Sequence, residues 1–121
     1  MLLLTGSMTA LGQDRFVEIR QAFDALSREQ PGLNEQVELS VSGVPLQEFI
    51  RGLASANNLN VSVNPGLKGS VVNNFANATV KDVFLYLCRE YGLEVQMIGS
   101  IIAFREYAPP PVEPEVKAPR V

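Results

Sequence analysis

The stretch VSGVPLQEFIRGLASANNLNVSV, Val41–Val63, lies without a gap on FANATVKDVFLYLCREYGLEVQM, Phe75–Met97, when the chain is moved by 34 positions. Val41 meets Phe75, Leu46 meets Val80, and Phe49-Ile50 meet Val83-Phe84. Leu53-Ala54 meet Leu87-Cys88, Leu59, Val61 and Val63 meet Leu93, Val95 and Met97, and Glu48 meets Asp82. Each copy reads as strand, helix, strand. In the first, Val37, Leu39 and Val41 alternate with Glu38, Ser40 and Ser42, the pattern of a half-buried strand over Val37–Gly43. Pro45 stands in a first helical turn, where a missing N–H costs nothing. Leu46, Phe49, Ile50, Leu53 and Ala54 then form one apolar helical face, and Leu59–Asn64 alternates again before Pro65-Gly66. In the second copy a strand over Ser70–Asn77 leads to Thr79 and Asp82, spaced as a capping box. Val80, Val83, Phe84, Leu87 and Cys88 make the apolar face, and Gly92 stands where a helix-terminating C′ residue belongs. A strand-helix-strand module cannot bury its apolar faces alone, but two of them cover each other's helices. The expected fold is α+β, two pseudo-repeated β-α-β units with two helices between small mixed sheets.

Outside the repeat, Phe16, Ile19, Phe23 and Leu26 are spaced three, four and three apart, with charges on the other face. That spacing predicts an amphipathic helix in residues 14–32, closed by Pro31-Gly32. LEVQMI and IIAFRE flank Gly99-Ser100, a two-residue hairpin loop. Residues 1–13 are uncharged up to Gln13, and the small residues Ala10 and Gly12 precede it as at a secretory cleavage site, so they read as a signal-peptide remnant, though without a positive leader. Residues 37–107 hold the repeat-bearing domain. Residues 108–121, rich in proline, read as an extended linker to something further on.

The 121 residues suit one domain. Thirteen acidic against ten basic residues, net charge −3 and no basic run give nucleic acid no footprint. The absence of histidine removes imidazole bases, Ser-His and Cys-His pairs and histidine metal ligands. The single cysteine, Cys88, takes the place of Ala54 in the other repeat and reads as a buried, inert thiol. The carboxylates fall on outward positions of amphipathic elements, and Gly66, Gly69 and Gly99 lack phosphate-loop spacing. The asparagines sit mostly at helix ends and turns, where local hydrogen bonding accounts for them, while Asn73-Asn74 inside a strand mark a solvent-facing or irregular position. The chain reads as no enzyme, with no metal, no cofactor and no small-molecule substrate.

Pro45-Leu46, Leu53-Ala54, Leu59–Val63, Thr79–Val83, Gly92-Leu93 and Ile101-Ile102, in that order and spacing, resemble the secretin and TonB N-terminal short domain over about Val37–Phe104. The resemblance implies one of two roles. In secretins this is the first periplasmic domain of a multimeric outer-membrane channel for protein secretion or pilus extrusion, docking inner-membrane components and neighbouring subunits of the ring. In TonB-dependent transducers it is a signalling domain that contacts an anti-sigma regulator. The helix before the domain and the spelling of the second repeat look more like secretins. Neither a second secretin module nor a plug follows within the chain.

A small docking domain works through open sheet edges, whose unpaired N–H and C=O groups accept a partner's strand. The expected edges are Val37, Leu39 and Val41 in one strand and Ile101, Ile102 and Phe104 in another, together with the outer face of the Phe16–Leu26 helix.

Overall fold

A computed structural model describes residues 11–108. The proposed leader therefore lies outside the described residues except for 11–13, and the proline-rich linker except for Ala108. The chain order is α1 (Leu11–Ser27), a 3-10 turn (Pro31–Asn34), β1 (Gln36–Pro45), α2 (Leu46–Ala56), β2 (Asn60–Val63), β3 (Ser70–Thr79), α3 (Val80–Glu90), β4 (Leu93–Ile98) and β5 (Ile101–Glu106). Helix α1 is longer at its start than the apolar spacing predicts, and Pro31-Gly32 opens a separate turn rather than ending the helix.

The 34-residue offset governs the backbone. Strands β1 and β3 are both ten residues long and begin 34 apart, as do the eleven-residue helices α2 and α3. Strands β1 and β3 pair antiparallel, with Ser40 opposite Asn74, its own counterpart in the other repeat. The Ser40 hydroxyl donates to Asn74 Oδ1 at 2.6 Å across the pseudo-twofold axis. Two bulges interrupt this ribbon. Gly43 has no opposite number on β3, and Asn77 is the extra residue on β3 near Glu38; their φ angles are 81° and 56°. They too are repeat counterparts, and both occupy the left-handed region that glycine and asparagine tolerate best. The irregularity in β3 thus falls at Asn77, while Asn73-Asn74 stay in register.

The second sheet has the order β2-β5-β4, with β5 parallel to β2 and antiparallel to β4. Helices α2 and α3 lie between the two sheets: α2 packs on β1, β2 and β3, and α3 packs on β3 and β4. The two-stranded sheet is wholly antiparallel, and only the three-stranded one is mixed. Phe84 of α3 is central to the core, with Phe104 of β5 at 5.0 Å between centroids and Phe23 of α1 at 6.0 Å. Helix α1 therefore completes the core by covering α3 through Ile19, Phe23 and Leu26, all buried. Apolar area removed from water is the main stabilising term.

Arg15 ties this helix to the end of the domain. Its guanidinium lies 3.9 Å from the Tyr107 ring centroid and 4.4 Å from that of Phe16, and Nη1 donates to the Leu93 carbonyl at 2.5 Å. The cation over the ring faces replaces hydration with π and carbonyl contacts.

Candidate functional site

Among the described residues the two strands β1 and β3 pair only with each other, so each has one side without a strand partner there. Val37, Leu39 and Val41 lie in β1, as the sequence expects. Val37 is buried, Val41 is half-buried, and Leu39 is 39% exposed, a large apolar side chain at an open edge.

Ile101, Ile102 and Phe104 do not lie at an edge. They belong to β5, which is paired on both sides, Ile102 with Val61 and Met97, and Phe104 with Val63 and Val95. Ile102 and Phe104 are fully buried. The physical reason is burial demand: the chain places its most continuous apolar strand, IIAF, where both sides of the backbone are satisfied. A near-continuous apolar run, in contrast to the clean alternation of Val37–Ser42, is the sequence signal of a central strand. The edges of this sheet are the short β2 and β4. On α1, Val17, Glu18, Arg20 and Gln21 form the outward face. Asp24 meets Lys81 of α3 at 3.0 Å, which closes part of that helix's flank.

Beside the open edge runs an apolar groove of about 390 Å³ between β1 and α2. Leu39, Val41 and Val44 form its strand wall, and Phe49, Gly52 and Leu53 its helix wall, with Glu48 the charged residue of the lining. Sequence reading missed the groove because its helix wall is set by what Gly52 lacks. The signal was available: a lone glycine in the middle of an otherwise well-formed amphipathic helix costs stability relative to alanine and implies a packing or functional reason.

Among the described residues no three or more of His, Cys, Asp and Glu are grouped to hold a metal ion. Cys88 is buried, and burial pushes its thiol from 9.0 up to about 12, the nearby Arg15 charge pulling the other way. It is thereby the reverse of an activated nucleophile, which needs a lowered pKa. The Tyr91 phenol is raised above its ordinary 10.0, first by burial, then by Tyr86 and Glu90, and it donates to the Ser70 carbonyl at 2.7 Å. Among the described residues no helix is long and apolar enough to cross a membrane. What the arrangement offers is a strand edge flanked by an apolar trough.

Neither a family model nor a curated protein matches the sequence. Solved structures match in fold. The N0 domain of the type II secretin from enterotoxigenic Escherichia coli superposes with a TM-score of 0.51 at 18% identity, covering 60% of this chain and 95% of that domain. A Parabacteroides distasonis protein assigned as an anti-sigma factor superposes with a TM-score of 0.53 at 16% identity, again over 60% of this chain. A second structure with the same description gives 0.52. The match spans about a third of that protein, 35% of its length. The fold is thus shared by a secretin domain and by part of a protein assigned to sigma-factor regulation.

Proposed function

We propose that this chain is a non-catalytic docking domain at the periplasmic entrance of a secretin-type outer-membrane channel. In this reading its open β1 edge receives a strand from an inner-membrane component, and neighbouring copies surround it in a ring. The observation that carries the proposal is the unpaired side of β1, at which the partly exposed Leu39 borders an apolar trough, in a fold shared with a secretin N0 domain. An added strand gains main-chain hydrogen bonds from the edge and specificity from the pockets for alternate side chains. One small domain buries modest area, so affinity per subunit is weak and a ring supplies the rest by avidity.

The test uses the full-length protein in its source cell. A photo-crosslinking residue at Leu39 is expected to capture another envelope protein, while the same residue at Ile102, closed inside β5, is expected to capture none. On a denaturing gel, unboiled membranes are expected to give a very large species that collapses on harsh treatment. Equal capture from both positions, or none from Leu39, would refute the edge.

The fold shared with a protein assigned as an anti-sigma factor supports a second reading, the signalling domain of a TonB-dependent transducer that contacts an anti-sigma regulator. A single heat-modifiable band of one barrel-bearing chain on the same gel would establish that reading instead.

A further inference from the structure

The pseudo-twofold axis gives the β1–α2 groove an internal counterpart whose contents are visible. Moved by 34 residues, Val41 becomes Phe75 and Gly52 becomes Tyr86. On that side the Tyr86 ring of α3, 38% exposed, packs edge-on against Phe75 of β3, with centroids 5.7 Å apart and planes at 78°. On the β1 side the helix carries no side chain at the equivalent position, and a Cβ built on Gly52 would meet nothing within 4 Å. The groove is therefore the space that an aromatic ring occupies in the other half of the molecule. Edge-on and offset aromatic contacts in such a site add to the area they bury.

We infer that the β1–α2 groove takes one aromatic side chain, tyrosine or phenylalanine, from an extended strand of a different protein added at the β1 edge. The inference rests on the docking role of β1 and specifies what docks. Within these 121 residues the aromatics are six phenylalanines, three tyrosines and no tryptophan. Phe23, Phe49, Phe75, Phe84 and Phe104 are buried, Tyr86 packs edge-on against Phe75 with 38% of its surface exposed, Tyr91 donates to the Ser70 carbonyl, and Phe16 and Tyr107 flank Arg15. Each of these rings already has a partner inside its own domain, and that is the ground for assigning the groove to a ring supplied by another protein. The strand requirement comes from position: the ring must enter beside the unpaired N–H and C=O groups of β1, where an extended backbone pairs while alternate side chains drop into the trough.

The decisive variant is Gly52→Tyr, which places on α2 the ring that Tyr86 places on α3. Space is open for it, and it removes a glycine from a helix interior, so the folded domain is expected to keep or raise its melting temperature. The probe is a phage-displayed library of random dodecapeptides, panned on the immobilised 121-residue chain. Enriched peptides are expected to share one aromatic residue within an alternating apolar pattern and to shift the amide resonances of β1 and of the middle of α2. Each is expected to lose affinity by about tenfold or more on Gly52→Tyr and to stay within about threefold on Gly52→Ala, whose methyl leaves room for the ring. Enrichment of peptides without aromatics, or binding unchanged by a folded Gly52→Tyr, would overturn the inference. So would self-association of the chain that Gly52→Tyr abolishes, which would make a second copy the occupant. Leu39 crosslinking that persists alongside a harmless Gly52→Tyr would leave the docking edge standing and remove only the aromatic occupant.

Discussion

At the scale of single residues, Cys88 joins core packing to solution behaviour. It fills the place of Ala54 in the other repeat and is fully enclosed. The folded chain holds its thiol proton up to about pH 12, whereas the unfolded thiol releases it near 9.0. Between those values the native state binds a proton that the unfolded state has lost, so stability falls as pH rises through that window and is intact below it. The raised Tyr91 phenol acts in the same direction, so the control is Cys88→Ala, which imports the residue of the counterpart position. Urea midpoints at about pH 8 and about pH 10.5 are expected to fall further for the wild type than for Cys88→Ala. Equal falls would show that the thiol does not ionise on unfolding, or is not enclosed. The burial of Cys88 was legible from its helical face and from Ala54 at the counterpart position. Its proximity to Arg15, which partly offsets the burial penalty, was not, since residues far apart in sequence meet only through the packing of α1 on α3. Similarly, Gly43 and Asn77 could be aligned in the sequence, but their shared left-handed backbone becomes meaningful only once β1 and β3 are seen to pair about an axis through Ser40 and Asn74.

Among the elements, the two repeat helices begin differently although they align without a gap. Helix α3 opens on a full capping box: Asp82 N–H donates to Thr79 Oγ1 at 3.2 Å, and Thr79 N–H donates to the Asp82 carboxylate at 3.4 Å. Helix α2 opens on Pro45, with no side-chain cap, and relies on the fixed φ of proline and on Leu46 N–H donating to the Gly69 carbonyl at 2.9 Å. Thr79→Ala is therefore expected to cost about 1 kcal/mol, read as a lowered urea midpoint with an unchanged slope. An unchanged midpoint would mean the carboxylate alone satisfies the helix start. This capping box, the helix faces and the Gly99-Ser100 hairpin were all local patterns and were all legible. Strand order was not, because two units of the same pattern can be joined through either pair of strands, and β5 inserts between the closing strands of the two repeats. Local periodicity reports which residues are buried, while the identity of the neighbour depends on long-range pairing.

For the whole molecule, strand order decides where the chain tolerates loss of a backbone donor. Proline has no N–H, so it survives in a sheet only where that N–H faces away from a neighbour. In β1, successive N–H groups point alternately toward β3 and toward the open side, so Leu39→Pro and Ser40→Pro differ by one step of that alternation. One of the two removes a ladder hydrogen bond and the other removes a donor that only a docked strand would use. In β5 no such choice exists, because β2 and β4 take up both sides and Ile102 is enclosed. Ile102→Pro is therefore expected to cost about 3 kcal/mol or more, from the broken ladder and the lost side-chain volume together. That is a large share of the stability of a domain this size. Far-UV circular dichroism and thermal melting of the three variants are expected to show Ile102→Pro unfolded or severely lowered, one β1 variant close to wild type and the other intermediate. The near-native β1 variant is then the reagent for the docking reading, since it removes an outward donor without disturbing the core. A wild-type melt for Ile102→Pro would contradict a central β5, and two equally damaged β1 variants would mean that the outer side of β1 is covered within the chain and cannot receive a partner.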